Sequence, residues 1–279
     1  MSYTVNCSIL LTELPLLERP AAVKAAGFDA VEFWWPFADS VPGDAEITAF
    51  ERAITDAGVR LTGLNFNAGD MPAGDRGLVS WAGRSSEFRD NIDVVAGIGA
   101  RLGCTSFNAL YGNRQDGHSP EEQDELAVEN LAAAAAVVGR SGGTVLLEPV
   151  SGAPRYPLLT ADDAVRVLAR VRQETGAANI KLLADFYHLS VNGDDVDAVI
   201  ERHARDFGHV QIADSPGRGA PGSGGLRLAG WIARSRELGY EGRIGLEYKA
   251  PAETAFDWAL GQPASEPASR AASGRRDMP

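Results

Sequence analysis

Short runs of β-branched and apolar residues alternate with longer, alanine-rich, helix-patterned stretches from one end of this 279-residue chain almost to the other. Strands separated in this way cannot pair as hairpins. They must lie parallel, each joined to the next by a helix that crosses back over the sheet. Eight such units are legible, with strands expected at residues 5–10, 30–34, 59–66, 105–110, 144–149, 180–185, 209–213 and 243–248.

Local chemistry marks several helix edges. Ser119-Pro120-Glu121-Glu122 puts a capping hydroxyl before a proline at the first helical position, with acids in the first turn where the helix dipole favours them. Thr160-Ala161-Asp162-Asp163 repeats the arrangement without the proline. Gly27, Gly58, Gly103 and Gly239 each stand between a helical run and a strand, as a C-terminal cap requires. Eight strand–helix units in about 260 residues match an α/β protein of the single-domain (β/α)8 TIM barrel type. A doubly wound sheet would usually show a glycine-rich phosphate loop after its first strand, but the chain continues there as SILLTELPLLERP. One barrel is therefore expected over residues 1–260. A flexible tail is expected over 261–279, GQPASEPASRAASGRRDMP, which is rich in Pro, Ala, Ser and Gly.

Composition narrows the partners. Twenty-six basic residues against 38 acidic ones leave a net charge of −12, whose field repels nucleic-acid phosphates and anionic membrane surfaces. No window reaches the roughly 18 apolar residues of a membrane span. The start, MSYTVNCSILLTELP, lacks the basic and apolar regions of a secretory leader. Cys7 and Cys104 lie in apolar, strand-like runs and supply no disulfide framework. The expectation is a cytoplasmic protein acting on a small molecule, with neither nucleic acid nor membrane as partner; assembly into a homo-oligomer is left open.

In a (β/α)8 barrel the active site lies at the carboxyl ends of the strands, so polar residues that end apolar strand runs are the informative ones. The later strands supply four: Glu148 in TVLLEP, Asp185 in IKLLADF, Gln211 in HVQIAD and Glu247 in RIGLEYK. A lone carboxylate among Val, Leu and Ile is costly to desolvate unless it is paired or bound to a cation. Taken singly, each fits a hydrogen bond or salt bridge at the barrel rim as well as it fits a ligand. Taken together, on consecutive strands five to eight, they converge on one point, and that many oxygen donors suit an octahedral Mg²⁺ or Mn²⁺. Without a cation the three carboxylates would repel one another. Glu148 and Glu247, leaving strands five and eight, approach a substrate from different sides. Such a pair can take a proton from the carbon beside a carbonyl and return it to the neighbouring carbon while the cation steadies the enediolate oxygens. That is aldose–ketose isomerisation.

At these residues the chain resembles the hydroxypyruvate isomerase family within the xylose-isomerase-like barrels, from about Val5 to Trp258. The stretches that carry the resemblance are NCSILLTELPLLERPAAVKAAGFDAVEFWWPF, LLEPVSG, LLADFYH, HVQIADSPGRGAPGSG and GLEYKA. It implies that Glu148, Asp185, Gln211 and Glu247 bind the divalent ion and that Glu148 and Glu247 are the acid–base pair. It also implies that His188, in DFYH, and Arg218, in SPGRG, contact substrate oxygens; the guanidinium fork suits a substrate carboxylate. Family members commonly read PGRHEPGTGE after the seventh strand, whereas residues 218–225 here read RGAPGSGG. A less polar and more mobile loop is expected from that change, and the resemblance keeps 2-oxo-tetronates or similar sugar acids beside hydroxypyruvate as expected substrates.

A ketose 3-epimerase is the nearest rival, since it returns the proton to the same carbon from the other face; a polyol dehydratase of the same barrel group follows. An abasic-site endonuclease needs a cluster of zinc-binding histidines and a positive groove, which four histidines and a charge of −12 do not supply. Outside catalysis, the rival is a barrel that binds sugar acids without transforming them. Of the remaining polar residues, His118 and His203 are expected at the surface and His209 as a satisfied rim residue. Trp34, Trp35 and Phe37 in EFWWPF either wall off a pocket or pack in the core. Glu32 is expected to hydrogen-bond within the barrel or to substrate, and Asn6, Asn65, Asn67 and Asn108 read more readily as ordinary polar residues than as substrate contacts. Lys249 is expected to face away from the site and serve a neighbouring acid.

Overall fold

The computed structural model describes residues 2–259. Its eight strands are β1 (Tyr3–Asn6), β2 (Ala30–Phe33), β3 (Arg60–Asn65), β4 (Ser106–Asn108), β5 (Thr144–Leu147), β6 (Ile180–Asp185), β7 (Phe207–Ile212) and β8 (Ile244–Leu246). They pair in parallel in chain order and close into one barrel, β8 returning to β1 with Tyr3 opposite Ile244. The helices between them are α1 (Arg19–Ala25), α2 (Asp44–Ala57), α3 (Ser85–Leu102), α4 (Pro120–Val138), α5 (Ala161–Thr175), α6 (Phe186–Val191), α7 (Val196–His203) and α8 (Leu228–Glu237). This is the expected (β/α)8 barrel. The tail expected at 261–279 lies outside the described residues. No described helix is long and apolar enough to cross a membrane.

The helices form where the local chemistry indicated. Ser119 Oγ accepts from the Glu122 N–H, and the Glu122 carboxylate accepts from the Ser119 N–H in return, so two orphan donors at the start of α4 are satisfied. Thr160 and Asp163 do the same for α5. The four glycines expected as caps all have positive φ, from 65° at Gly58 to 100° at Gly239. Helix α5 then buries Ala161, Ala164, Leu168 and Val171, the three-and-four spacing of one face, against the barrel.

Two departures matter for the site. Strand β1 ends at Asn6, not at residue 10, because Asn6 Oδ1 accepts from the Ser8 N–H and the Asn6 carbonyl accepts from the Leu10 N–H, which turns the chain out of the sheet. After β6 the sequence DFYH forms a helix directly: Asp185 caps α6, its Oδ1 accepting from the N–H groups of Tyr187 and His188. The strand-ending acid and His188 are thereby fixed one helical turn apart.

The barrel interior is polar. Asn6, Glu32, Asn65, Ser106, Asn108, His209 and Gln211 share it with Leu146 and Leu183, where most barrels stack branched aliphatics. Room for this network comes from Gly245, where a Cβ would sit 2.6 Å from Gln211 Cγ and 2.7 Å from Glu32 Oε1.

Candidate active site

At the carboxyl ends of the strands a cavity of about 800 Å³ opens, lined among others by Trp34, Arg76, Glu148, His188, Arg218 and Glu247. Ligand atoms of Glu148, Asp185, His188 and Glu247 lie within 4.8 Å of one another, and all four residues are buried.

Each acid is tied by one oxygen and leaves the other toward its neighbours. Asn108 Nδ2 donates to Glu148 Oε2 at 2.7 Å, while Glu148 Oε1 faces His188 Nε2 at 4.0 Å. Asn6 Nδ2 donates to Glu247 Oε2 at 2.9 Å, while Glu247 Oε1 pairs with Arg218 Nη2. Asp185 spends Oδ1 on the cap of α6; its Oδ2 has no hydrogen-bond partner and stands 3.6 Å from Arg218 Nη2 and 3.7 Å from His188 Nε2. Gln211, opposite Asp185 in the sheet, donates through Nε2 to Glu32 Oε1 at 2.7 Å and leaves Oε1 without a partner. Two buried oxygens are thus orphaned at the convergence of β6 and β7. Hard oxygen donors with free lone pairs are the donor set a divalent cation takes, so the residues fit such an ion.

The electrostatics agree. Burial, then Glu247 and Asp185, push the Glu148 carboxyl well above its ordinary range, and Asn108 and Arg218 only partly oppose them. Burial likewise raises Glu247; Arg218 pulls it down, while Asp185 and Glu32 push it up. His188 is lowered to about 4, chiefly by burial, with Asp185 opposing and Arg218 and Arg76 reinforcing. It is therefore neutral at pH 7. Its Nδ1 accepts from the Ser151 N–H at 3.0 Å, so the ring proton resides on Nε2, the nitrogen that faces the acids. Arg218 bonds through Nε to the Glu247 carbonyl at 3.1 Å and stacks 5.4 Å from the Tyr187 ring centroid.

Of the six residues expected at the site, Glu148, Asp185, His188, Arg218 and Glu247 share this cluster, and Gln211 adjoins it through β6–β7 pairing. Trp34 lines the cavity, whereas Trp35 and Phe37 stack edge-on at 5.0 Å, Phe37 continuing onto Phe50 of α2. His118 is exposed, and His203 meets Asp162 at 2.7 Å. His209 lies inside the barrel rather than at its rim, satisfied by Glu32 at 2.7 Å. Lys249 is a correction: it lines the cavity, since a residue two past Glu247 returns to the same face, and it pairs with no acid among the described residues. The loop after β7 is organised rather than loose, because Asp214 accepts from the N–H groups of Ser215, Gly222 and Leu226. The roles of Asn6 and Asn108 were missed; nothing local announces a partner so distant in the chain.

A parallel eight-stranded barrel that gathers buried acids, a neutral histidine and an arginine in a cavity at the strands' carboxyl ends is an enzyme of the (β/α)8 class. The family described as xylose isomerase-like TIM barrel matches residues 20–269. A Streptomyces coelicolor protein named after hydroxypyruvate isomerase is 54% identical over 263 residues, covering 92% of this chain and 94% of its own. A 2-oxo-tetronate isomerase from Cupriavidus necator is 35% identical, with 90% and 94% covered. Among solved structures, AP endonuclease, family 2, from Brucella melitensis superposes with a TM-score of 0.83 at 30% identity, covering 93% of this chain and 98% of that one. The chain belongs to the hydroxypyruvate isomerase family of the xylose isomerase-like TIM barrels, and it is an isomerase. The endonuclease reading finds no histidine cluster: among the described residues only His188 of the four histidines joins the acidic group.

Proposed function

We propose that the chain isomerises a small hydroxy-oxo acid, hydroxypyruvate to tartronate semialdehyde or a 2-oxo-tetronate analogue, with Mg²⁺ or Mn²⁺ held by Glu148, Asp185, Gln211 and Glu247. The observation that carries this reading is the pair of orphaned buried oxygens, Asp185 Oδ2 and Gln211 Oε1, beside two acids whose other oxygens are already tied down. The names of the relatives support the substrate class. When bound, a divalent ion supplies Lewis-acid stabilisation of the negative charge that develops on the substrate's oxygens.

The chain's own residues do the rest. Glu148 and Glu247 are the acid–base pair, their carboxyls raised by burial toward the range where a group both takes and returns a proton near neutrality. One removes a proton from the hydroxymethyl carbon of hydroxypyruvate; the other delivers a proton to the former carbonyl carbon. The hydroxyl proton passes between the two enediolate oxygens, and an aldehyde results. Neutral His188 offers Nε2–H to a substrate oxygen, and Arg218, whose Nε and Nη2 are committed to Glu247, offers Nη1 to another. Cys7 and Cys104 are buried free thiols, the state a reducing compartment maintains, and a cytoplasmic location belongs to the same proposal. Incubating the protein with hydroxypyruvate in deuterated water tests the reading. Labelled tartronate semialdehyde should form, disappear with EDTA and return with Mn²⁺; label without aldehyde, or turnover indifferent to EDTA, overturns it.

A further inference from the structure

Arg218 is not the cation in the cavity with a free hydrogen-bonding fork. Its Nη2 is committed to Glu247 Oε1 and its Nε to the Glu247 carbonyl. Arg76, on the loop between β3 and α3, is differently placed. It lines the same cavity as Glu148, His188 and Glu247. Its Nη1 donates to the carbonyls of Met71 at 2.9 Å and Asp75 at 2.6 Å, which uses both protons of that nitrogen. Its Nε and Nη2, the parallel edge of the guanidinium, donate to no acceptor among the described residues. Nor does any described carboxylate come within ion-pair distance of it. The acid next to it in sequence, Asp75, is taken by Arg84 Nη1 at 2.9 Å.

The loop that presents Arg76 is pinned from behind. Its carbonyl accepts from the Gly112 N–H at 3.1 Å, and the Gly77 N–H donates to the Ala68 carbonyl at 2.9 Å. Gly77 has φ 112° and lies so close to the β4–α4 connection that a Cβ there would fall 1.9 Å from the Leu110 carbonyl oxygen. Backbone and side chain are therefore both held, and the open edge is pre-organised rather than waiting on a floppy stem. In a protein of net charge −12 a half-buried arginine left uncompensated in a cavity is a site for an anion that arrives from outside, and a side-on guanidinium edge matches the two oxygens of a carboxylate.

We propose that Arg76 anchors the carboxylate of the substrate and thereby makes the enzyme choose hydroxy-oxo acids over neutral ketoses of the same length. This deepens the isomerase reading and rests on it for the identity of the substrate. The anchor itself is tested by binding, without turnover. Glycerate has the carbon skeleton of hydroxypyruvate and no carbonyl to isomerise; glycerol replaces its carboxylate with a hydroxymethyl group. With the Mn²⁺-loaded protein in a calorimeter, Arg76→Met should weaken glycerate by about 30- to 100-fold, as expected for losing a charge-assisted pair, and leave glycerol and Mn²⁺ affinities within about twofold. Arg76→Lys, which keeps the charge and loses the fork, should fall between, about tenfold weaker, and serves if the methionine variant does not fold.

In turnover, the same variants should raise KM for hydroxypyruvate far more than they lower kcat, and leave kcat/KM for dihydroxyacetone, its neutral counterpart, unchanged. Glycerate binding that is absent in the wild type, unchanged in both variants, or lost in step with glycerol overturns the assignment. If the wild type binds glycerate through Arg76 and yet makes no aldehyde from hydroxypyruvate, the isomerase reading falls and the carboxylate anchor stands.

Discussion

The two halves of the barrel end their strands differently. Strands β5 to β8 end in or beside Glu148, Asp185, Gln211 and Glu247, whereas β1, β3 and β4 end in Asn6, Asn65 and Asn108. Barrel closure sets one half against the other. The amide of Asn6 reaches Glu247 across the β1–β8 seam, and that of Asn108 reaches Glu148 across the β4–β5 seam. A neutral donor orients an acid through one oxygen without neutralising it; the second oxygen of Glu148 then faces His188, and that of Glu247 pairs with Arg218. In the proposed mechanism the first half positions and the second half reacts. Glu32 is the exception in the first half, and it too positions: it clamps His209 and the amide of Gln211, which decides that the oxygen of Gln211 is the atom left free.

The division is broken most directly at the reacting half. Glu148→Gln or Glu247→Gln keeps size and hydrogen bonding to the asparagines but removes the proposed proton carrier. Turnover should fall by about 10²- to 10⁴-fold while the circular dichroism spectrum is unchanged. Either variant keeping more than about a tenth of the wild-type rate would contradict the acid–base assignment.

The positioning half should give a smaller effect with a different signature. Asn6→Ala or Asn108→Ala leaves a buried carboxylate oxygen without its donor and frees the side chain to swing. Loss of such an outer partner typically costs about 10- to 100-fold in metal affinity, so Mn²⁺ titration should show that shift in each. Wild-type affinity in both variants would mean that the two halves are not coupled in this way.

How much of this was legible in the sequence follows from the same division. The acids stood out because each interrupts an apolar strand run, and the helix starts because capping is local: Ser119 and Glu122 are three residues apart. Strand β6 matches its expected bounds since the helix start begins where the apolar run stops. The partners of the acids were not legible. Asn6 and Glu247 are separated by 241 residues, and an asparagine at a strand end looks the same whether it faces water or a carboxylate. Arg76 was missed for a related reason. Its significance is that Asp75 is occupied by Arg84, a fact of loop geometry that adjacency in sequence points the wrong way on.

The smallest effect concerns the cost of holding the acids together, and its sign is fixed. Glu148 and Glu247 have folded-state carboxyls raised above their unfolded values, so they favour the folded protein when protonated and that contribution is lost as pH rises. Asp185, Glu32 and the partly compensating Arg218 face them, and His188 works in the opposite direction. Being lowered to about 4, it adds stability as pH rises from there to its unfolded value near 6.5 and then stops. Buried His209, raised by Glu32 against the pull of burial, loses its contribution above that value, in the same direction as the acids. Between about pH 6.5 and 8, therefore, the melting temperature of EDTA-treated protein should fall, by about 2–4 °C for each kcal/mol of repulsion. Mn²⁺ should restore more stability at pH 8 than at pH 6.5, because the proposed ligands would hold it in their ionised form. Glu148→Gln, which removes one of the repelling charges, should flatten the slope of the EDTA-treated protein. A slope of the opposite sign, or one unchanged in that variant, would mean that the acids of the second half are not held against their own repulsion by the first.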